Sequence, residues 1–393
     1  MRLIFLSLLM FFFLFEKPLS FAQDDQLAAV LGIEQTEKYL PLLKNKRIAV
    51  VGNHSSSIDG KHIVDLLLEN QVEVLKVFSP EHGFRGKADA GEKVNDAIDQ
   101  KTGLPIVSLY GDNKKPTNSQ LQGVDLILFD IQDVGVRFYT YISTLHYVME
   151  AAAENKIQLL VLDRPNPNGH YVDGPILEKR YSSFVGLHPV PIVHGMTVGE
   201  YAQMINGEKW LSEGIQCDLT VVACLNYKKS DVYELPIAPS PNLPNMRSIY
   251  LYPSLCLFEG TVVSVGRGTD KPFQQIGHPA FTYYPYTFLP EATEGAKNPK
   301  LEGKRCHGVD FTVRTAKSFR MMKRLDLSYL IDFYKSYPQK SRFFTDYFNL
   351  LAGTNQLQQA IVEGKTEMQI RSSWEEGIDN YQKMRTDYLI YEQ

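Results

Sequence analysis

Cysteine is scarce: Cys217, Cys224, Cys256 and Cys306 are the only four in 393 residues, and none falls in a CxxC pair. Neither a zinc cluster nor a disulfide framework is implied, and the four read as packing residues. Long Lys/Arg runs are absent and the formal net charge is -4. A chain without a basic field does not hold a phosphate backbone, so nucleic acid is excluded as a partner. No GxGxxG follows the first strand-like run and no GxxxxGK[ST] occurs, so the dinucleotide and phosphate cradles lack their glycines. The GxSxG elbow is also missing, which removes the serine nucleophile of an α/β-hydrolase. His54, His82, His194 and His278 show no HxxxH or HxH spacing, so the sequence implies neither a metal nor any other cofactor.

What is present is ordinary globular composition, 44% hydrophobic and 22% charged. The 22 Tyr and 21 Phe are accounted for mostly by a rich core, with a sugar-stacking cleft as the functional alternative. At the N-terminus Arg2 precedes the apolar run Leu3 to Phe15, and Ser20-Phe21-Ala22 precedes Gln23. A positive start, a short apolar run and small residues before a cleavage point describe a signal peptide over residues 1–22. The expected product is exported, periplasmic or secreted, and begins at Gln23. A retained membrane anchor is the alternative. No cysteine near the cleavage point offers a lipid attachment.

The mature chain is longer than the ~250–300 residues at which single cores stop growing, so two domains are expected. Short β-rich runs recur at 47–53, 72–79, 105–110, 125–131, 157–163 and 217–223. Helical spacing appears between them at 60–70, 141–155 and 197–206. Strands apolar on both faces and alternating with helices predict a doubly wound, Rossmann-like α/β domain built on a parallel sheet. Thr197 and Glu200 have capping-box spacing at the head of one helix. The Pro-rich segment 236–244 suits neither helix nor central strand, and places the boundary between residues 23–238 and 239–393. The second part is predicted as a smaller α/β domain that completes the cleft. Its expected strands lie at 261–265 and 308–314, its helices at 326–336, 355–363 and 366–388.

In such sheets the ligand crevice lies beyond the carboxyl ends of the strands. Four polar loops stand there: Asn53-His54-Ser55-Ser56, Ser79-Pro80-Glu81-His82-Gly83, Asp130 to Gly135, and Asp163 to Gly169. Pro80 ends a strand and Gly83 permits a turn, so Glu81 is projected from the sheet edge, where partial desolvation suits a general acid. A helix cap or a pair with Arg85 explains Glu81 equally well. Asp130, at a strand terminus, is read as a functional carboxylate, and Asp133 as an Asx-turn. Arg137 and Tyr139 offer an anion clamp and a stacking face. Pro165 and Pro167 stiffen the loop that carries Asp163, Arg164, Asn166 and Asn168. That loop serves either as a rigid functional platform or as a plain stable turn.

Together NHSS at 53–56, PEHG at 80–83, DIQDVGVRFYTY at 130–141, DRPNPNG at 163–169, HGMTVGE at 194–200, SPNLP at 240–244 and EGTVVSVGRGTDKPFQQIG at 259–277 resemble the exo-β-N-acetylmuramidase (NamZ-type) family, long known only as a domain of unknown function. The motifs run in the family's order through essentially the whole mature chain. The resemblance implies a Rossmann-like domain joined to a smaller one, a site in the cleft between them, and hydrolysis of the β-glycosidic bond of terminal, non-reducing N-acetylmuramic acid in peptidoglycan fragments. It implies Glu81 as the leading catalytic group, with His82 beside it. Asp130, Asp163 and Glu259 are candidates for the second carboxylate. Asn53, His54, Ser55, Arg137, Tyr139, Arg164, Asn166 and Arg267 are candidates for binding sugar, the arginines because a guanidinium grips the lactyl carboxylate of muramic acid bidentately. Retaining, inverting and substrate-assisted routes stay open. The competing readings are a non-catalytic glycan-binding protein on the same scaffold and a hydrolase of some other ester or amide. The oligomeric state is not legible.

Overall fold

The protein is described by a computed structural model that covers residues 27–80, 83–84 and 97–393. Residues 1–26, including the expected signal peptide, and both Glu81 and His82 lie outside these described residues.

Seven strands form the central sheet: β1 (Arg47–Gly52), β2 (Glu73–Ser79), β3 (Ala97–Ile98), β4 (Pro105–Ser108), β5 (Leu126–Asp130), β6 (Gln158–Leu162) and β7 (Leu219–Val222). Their spatial order is β3-β4-β2-β1-β5-β6-β7. All neighbours are parallel except the short edge pair β3 and β4. Strand order therefore reverses between β1 and β5, the switch point at which such sheets open a ligand crevice.

The near-continuous apolar character of β1, β5 and β6 follows from burial on both faces. Ala49, Val51, Ile127, Phe129, Leu159 and Val161 face one core, with helices α3 (Tyr141–Glu154) and α4 (Val198–Gly207). The alternate residues Ile48, Val50, Leu126, Leu128, Leu160 and Leu162 face another, under α1 (Thr36–Leu43) and α2 (Ile63–Glu69). This is the period-two alternation of a strand with a helix layer on each side. The expected capping box is present: Thr197 accepts from the Glu200 backbone N–H, and the Glu200 carboxylate accepts from that of Thr197.

The Pro-rich segment 236–244 has no regular structure and leads into α5 (Met246–Leu255), which the sequence reading missed because Pro253 sits inside it. Beyond it, β8 (Gln275–His278), β9 (Tyr286–Phe288) and β10 (Cys306–Asp310) make a small antiparallel sheet in the order β8-β10-β9. The expected strand at 261–265 forms only isolated bridges, Thr261 to Phe344 and Ser264 to Gly277. Six helices follow, among them α8 (Tyr347–Ala352), α10 (Glu367–Ser372) and α11 (Glu375–Arg385). The single helix expected over 366–388 is broken between α10 and α11, where Trp374 turns inward and is buried.

One continuous apolar cluster includes Val136 and Tyr139 of the first part and Tyr252, Phe273 and Phe333 of the second. Among the described residues no helix is long and apolar enough to cross a membrane.

Candidate active site

At the switch point Gly52 pairs with Asp130, and the loops that follow them lock together through buried polar side chains. Asn53 donates through Nδ2 to the Tyr141 hydroxyl at 2.8 Å and accepts from the Ser55 hydroxyl at 2.6 Å. The Ser55 oxygen accepts the Gln132 backbone N–H at 3.0 Å, and Ser56 donates to the carbonyl of Asp130. Gly52 is required here, because a Cβ would lie 2.7 Å from Ser56 Oγ. Asn53 and Ser55 thus shape the crevice rather than face it. His54 is half-buried, with Nε2 2.8 Å from the Ala238 carbonyl.

Several expected site residues prove to be structural. Asp130, fully buried, is gripped bidentately by Arg164, Nε to Oδ1 at 2.6 Å and Nη2 to Oδ2 at 3.0 Å. The carboxylate and the guanidinium satisfy each other, and both side chains are buried away from the cleft, whereas the Glu259–Arg267 pair is partly exposed. Asp163 accepts at Oδ1 from the Gly199 and Arg164 backbone N–H groups and at Oδ2 from the Thr197 and Tyr391 hydroxyls. Burial pushes its pKa up to about 6 against those hydrogen bonds. Asn166 donates to the Met196 carbonyl and accepts from the Asn168 N–H, so the proline-stiffened loop is a rigid support.

Arg137 overturns the expectation placed on it. Its side chain is fully buried, Nη1 donating to the carbonyls of Pro175 and Val190 and Nη2 to those of Leu351 and Ala352. Four carbonyls already occupy the fork that a lactyl carboxylate would need. Arg137 and Tyr139 diverge because the segment is not extended: the Tyr139 N–H closes a turn on the Val136 carbonyl at 2.8 Å.

Tyr139, Glu259 and Arg267 do meet, in a cleft of about 640 Å³, its open mouth included. The Tyr139 hydroxyl donates to the Pro239 carbonyl at 2.8 Å, which leaves its ring as a wall. Arg267 holds Glu259 through Nε at 2.7 Å and Nη2 at 3.3 Å. Its Nη1 makes neither contact. Phe138, Tyr252 and Phe273 complete the floor, and Tyr110, Phe184 and Tyr347 stand at the side of the same cleft. The sequence reading missed Tyr110, Phe184 and Tyr252. Tyr110 could have been found as the end of the run PIVSLY at a strand's carboxyl edge, whereas Phe184 lies in no motif.

The histidine His194 is buried and neutral, its pKa pulled down to about 3 by burial and by the charges of Lys229, Arg385 and Arg137. Among the described residues no group of three or more His, Cys, Asp or Glu side chains is disposed to hold a metal ion. All four thiols are buried and unpaired.

Asp133 makes the expected Asx-turn, accepting the Gly135 N–H at Oδ2 at 2.6 Å, while Oδ1 has no partner. Burial pushes its pKa up to about 7. The folded carboxyl therefore keeps its proton where the unfolded chain has already lost it, and its stability contribution, complete below pH ~4, is lost as pH rises toward 7. Asp133→Asn should flatten the fall in stability between those limits, by at most about 1.4 kcal/mol per pH unit. Urea denaturation across that range checks this, and an unchanged slope in the variant refutes the assignment.

Comparison with known proteins identifies the family of the chain. Residues 48–247 match the family described as exo-beta-N-acetylmuramidase NamZ, N-terminal, and residues 250–391 match its C-terminal counterpart. The peptidoglycan beta-N-acetylmuramidase NamZ of Bacillus subtilis (strain 168) is 43% identical over 375 residues, covering 90% of this chain and 89% of its own. The crystal structure of a DUF1343 family protein from Bacteroides fragilis NCTC 9343 superposes with a TM-score of 0.88 at 49% identity, over 93% of this chain and all of that one. A second DUF1343 family protein from the same organism gives 0.76 at 28% identity, over 93% and 99% of the two chains. With both halves matched in order and a close relative aligned along nine-tenths of its length, this chain belongs to the NamZ family of exo-beta-N-acetylmuramidases.

Proposed function

We propose that this protein is an exo-acting glycoside hydrolase that releases terminal N-acetylmuramic acid from the non-reducing end of peptidoglycan fragments. The observation that carries the reading is the aromatic-floored cleft with the Glu259–Arg267 pair inside it, on a chain that belongs to the NamZ family throughout. Its ring walls suit the apolar C–H face of a sugar. A non-catalytic glycan-binding role is disfavoured by the match to an enzyme over nine-tenths of the chain.

In this reading Glu81 protonates the departing glycosidic oxygen. In the sequence it follows Pro80, just after β2, which ends at Ser79 between β1 and β4. Glycosidases generally use two carboxylates, one as acid and one as base or nucleophile. Glu259 is the carboxylate among the described residues that lines the cleft and fits the second role, since Asp130 and Asp163 are fully buried and do not line it. In the substrate-assisted route the sugar's own acetamido oxygen attacks instead, and Glu259 then stabilises positive charge on the ring. Arg267, rather than Arg137 or Arg164, meets the lactyl carboxylate, because its Nη1 remains for a further anion beside Glu259.

Three measurements test this. Replacement of Glu81 by Gln should cost roughly a hundred- to ten-thousand-fold on a disaccharide, whose leaving sugar needs a proton. It should cost far less on an activated phenyl muramoside, and equal losses on both would assign Glu81 to another role. Arg267→Ala should lower turnover of a muramoside by about 2–5 kcal/mol more than that of the matching N-acetylglucosaminide. An unchanged ratio of the two specificity constants would remove Arg267 as the carboxylate clamp. Export is part of the same proposal: mass spectrometry of the secreted or periplasmic protein should find an N-terminus at Gln23, and an intact Met1 end refutes cleavage.

A further inference from the structure

The aromatic residues of the cleft fall into two groups by burial. Phe138, Tyr139, Tyr252 and Phe273 are each 7% exposed or less and pack edge to face, with Tyr252 5.4 Å from Phe138, 5.9 Å from Tyr139 and 4.9 Å from Phe273. They are a floor, backed by the core. Tyr110 and Phe184 are half-buried and Tyr347 is exposed, so these three mark the mouth. An exo-acting enzyme takes the terminal sugar into the closed end, and the next sugar must lie where the cleft opens.

We propose that Phe184 and Tyr110 are the seat of that next sugar, the 2-acetamido sugar that leaves, with Lys114 as its hydrogen-bond donor. The proposal rests on the muramidase reading above. Phe184 stands outside both large apolar cores and projects from a short turn. The turn is stiff: Ser183 and Gly186 exchange two backbone hydrogen bonds at 2.9 Å, and Gly186 packs on the buried side chain of Arg137. A large apolar ring held rigidly in partial contact with water is not explained by core packing. Its ring lies nearly parallel to that of Tyr147, at 15° and 6.3 Å, and meets Tyr110 at 62° and 6.4 Å. The two cleft-lining rings form a corner. Lys114 holds its ammonium 4.8 Å from the centre of the Phe184 ring and makes no ion pair among the described residues. An apolar corner with a cation at its edge matches a sugar, which offers a C–H face and a rim of hydroxyl and acetamido oxygens.

Phe184→Ala and Phe184→Trp are the informative variants, with N-acetylmuramosyl-N-acetylglucosamine and β-N-acetylmuramosyl fluoride as donors. Fluoride has no second sugar to seat. Phe184→Ala should lower kcat/KM for the disaccharide about tenfold and that for the fluoride less than about twofold, and Trp should keep most of the disaccharide rate. Saturation-transfer NMR with N-acetylglucosamine alone should give a signal in the parent protein that Phe184→Ala loses. Equal losses on both donors, or an NMR signal unaffected by the substitution, would overturn the proposal. If the parent protein cleaves neither donor, the muramidase reading fails, and the NMR experiment still decides whether the corner binds the sugar.

Discussion

One buried cation ties the two parts of the molecule together. The Arg137 guanidinium reaches from the loop after β5 and binds the carbonyls of Pro175 and Val190 on one side, and of Leu351 and Ala352 on the other. The second pair is the C-terminal end of α8, where unsatisfied carbonyls carry the negative end of the helix dipole. Burial draws the Arg137 pKa down to about 9, still above neutrality, so the group remains a cation caged by dipoles. Space around it is controlled as tightly as charge. A Cβ on Gly353 would come within 2.5 Å of Nη2, and the positive φ of Gly353 ends the helix at that point. Because Tyr139 and Leu351 both line the cleft and both adjoin this contact, the cleft's width depends on it.

A second constraint comes from the end of the chain. Tyr391 donates to Asp163 and accepts the Cys224 N–H, while the Ile390 and Tyr391 N–H groups donate to Glu200. Glu200 also holds the fully buried ammonium of Lys229 at 2.8 Å. Removing one partner of such a pair leaves an uncompensated buried charge, a loss of about 3–5 kcal/mol. The last residues thus brace the strand ends β6 and β7, which support the crevice from behind. Polar loops whose side chains are spent on one another keep a fixed shape, and a site that must bind a sugar in one orientation needs such a frame.

The division between support and site was the part hidden from the sequence. Asp130, Asp163, Arg137 and Arg164 are the residue types that catalysis and anion binding use, and they stand at strand ends, where sites form. Whether such a group faces solvent or a partner depends on residues far along the chain: Arg164 lies 34 positions from Asp130, and Tyr391 lies 228 from Asp163. Two residues apart, Arg137 and Tyr139 share a direction only in an extended segment, and the turn closed by Tyr139 on Val136 sends them apart. Phe184 carried no signal because it lies in no motif and outside the large apolar cores.

Local rules, by contrast, were readable directly. Apolar runs buried on both faces, alternating with helical stretches, determined the doubly wound sheet, Thr197 and Glu200 determined a helix start, and Asp133 determined its Asx-turn, since each depends on neighbours within a few residues. The ordered motifs determined the family. Tertiary structure alone decided which carboxylates and arginines are buried in internal pairs and which line the cleft, because that choice is made by contacts between distant segments. Glu259 and Arg267 share the cleft with Tyr139 only after α5 and the segment around 261–265 fold back against the first domain.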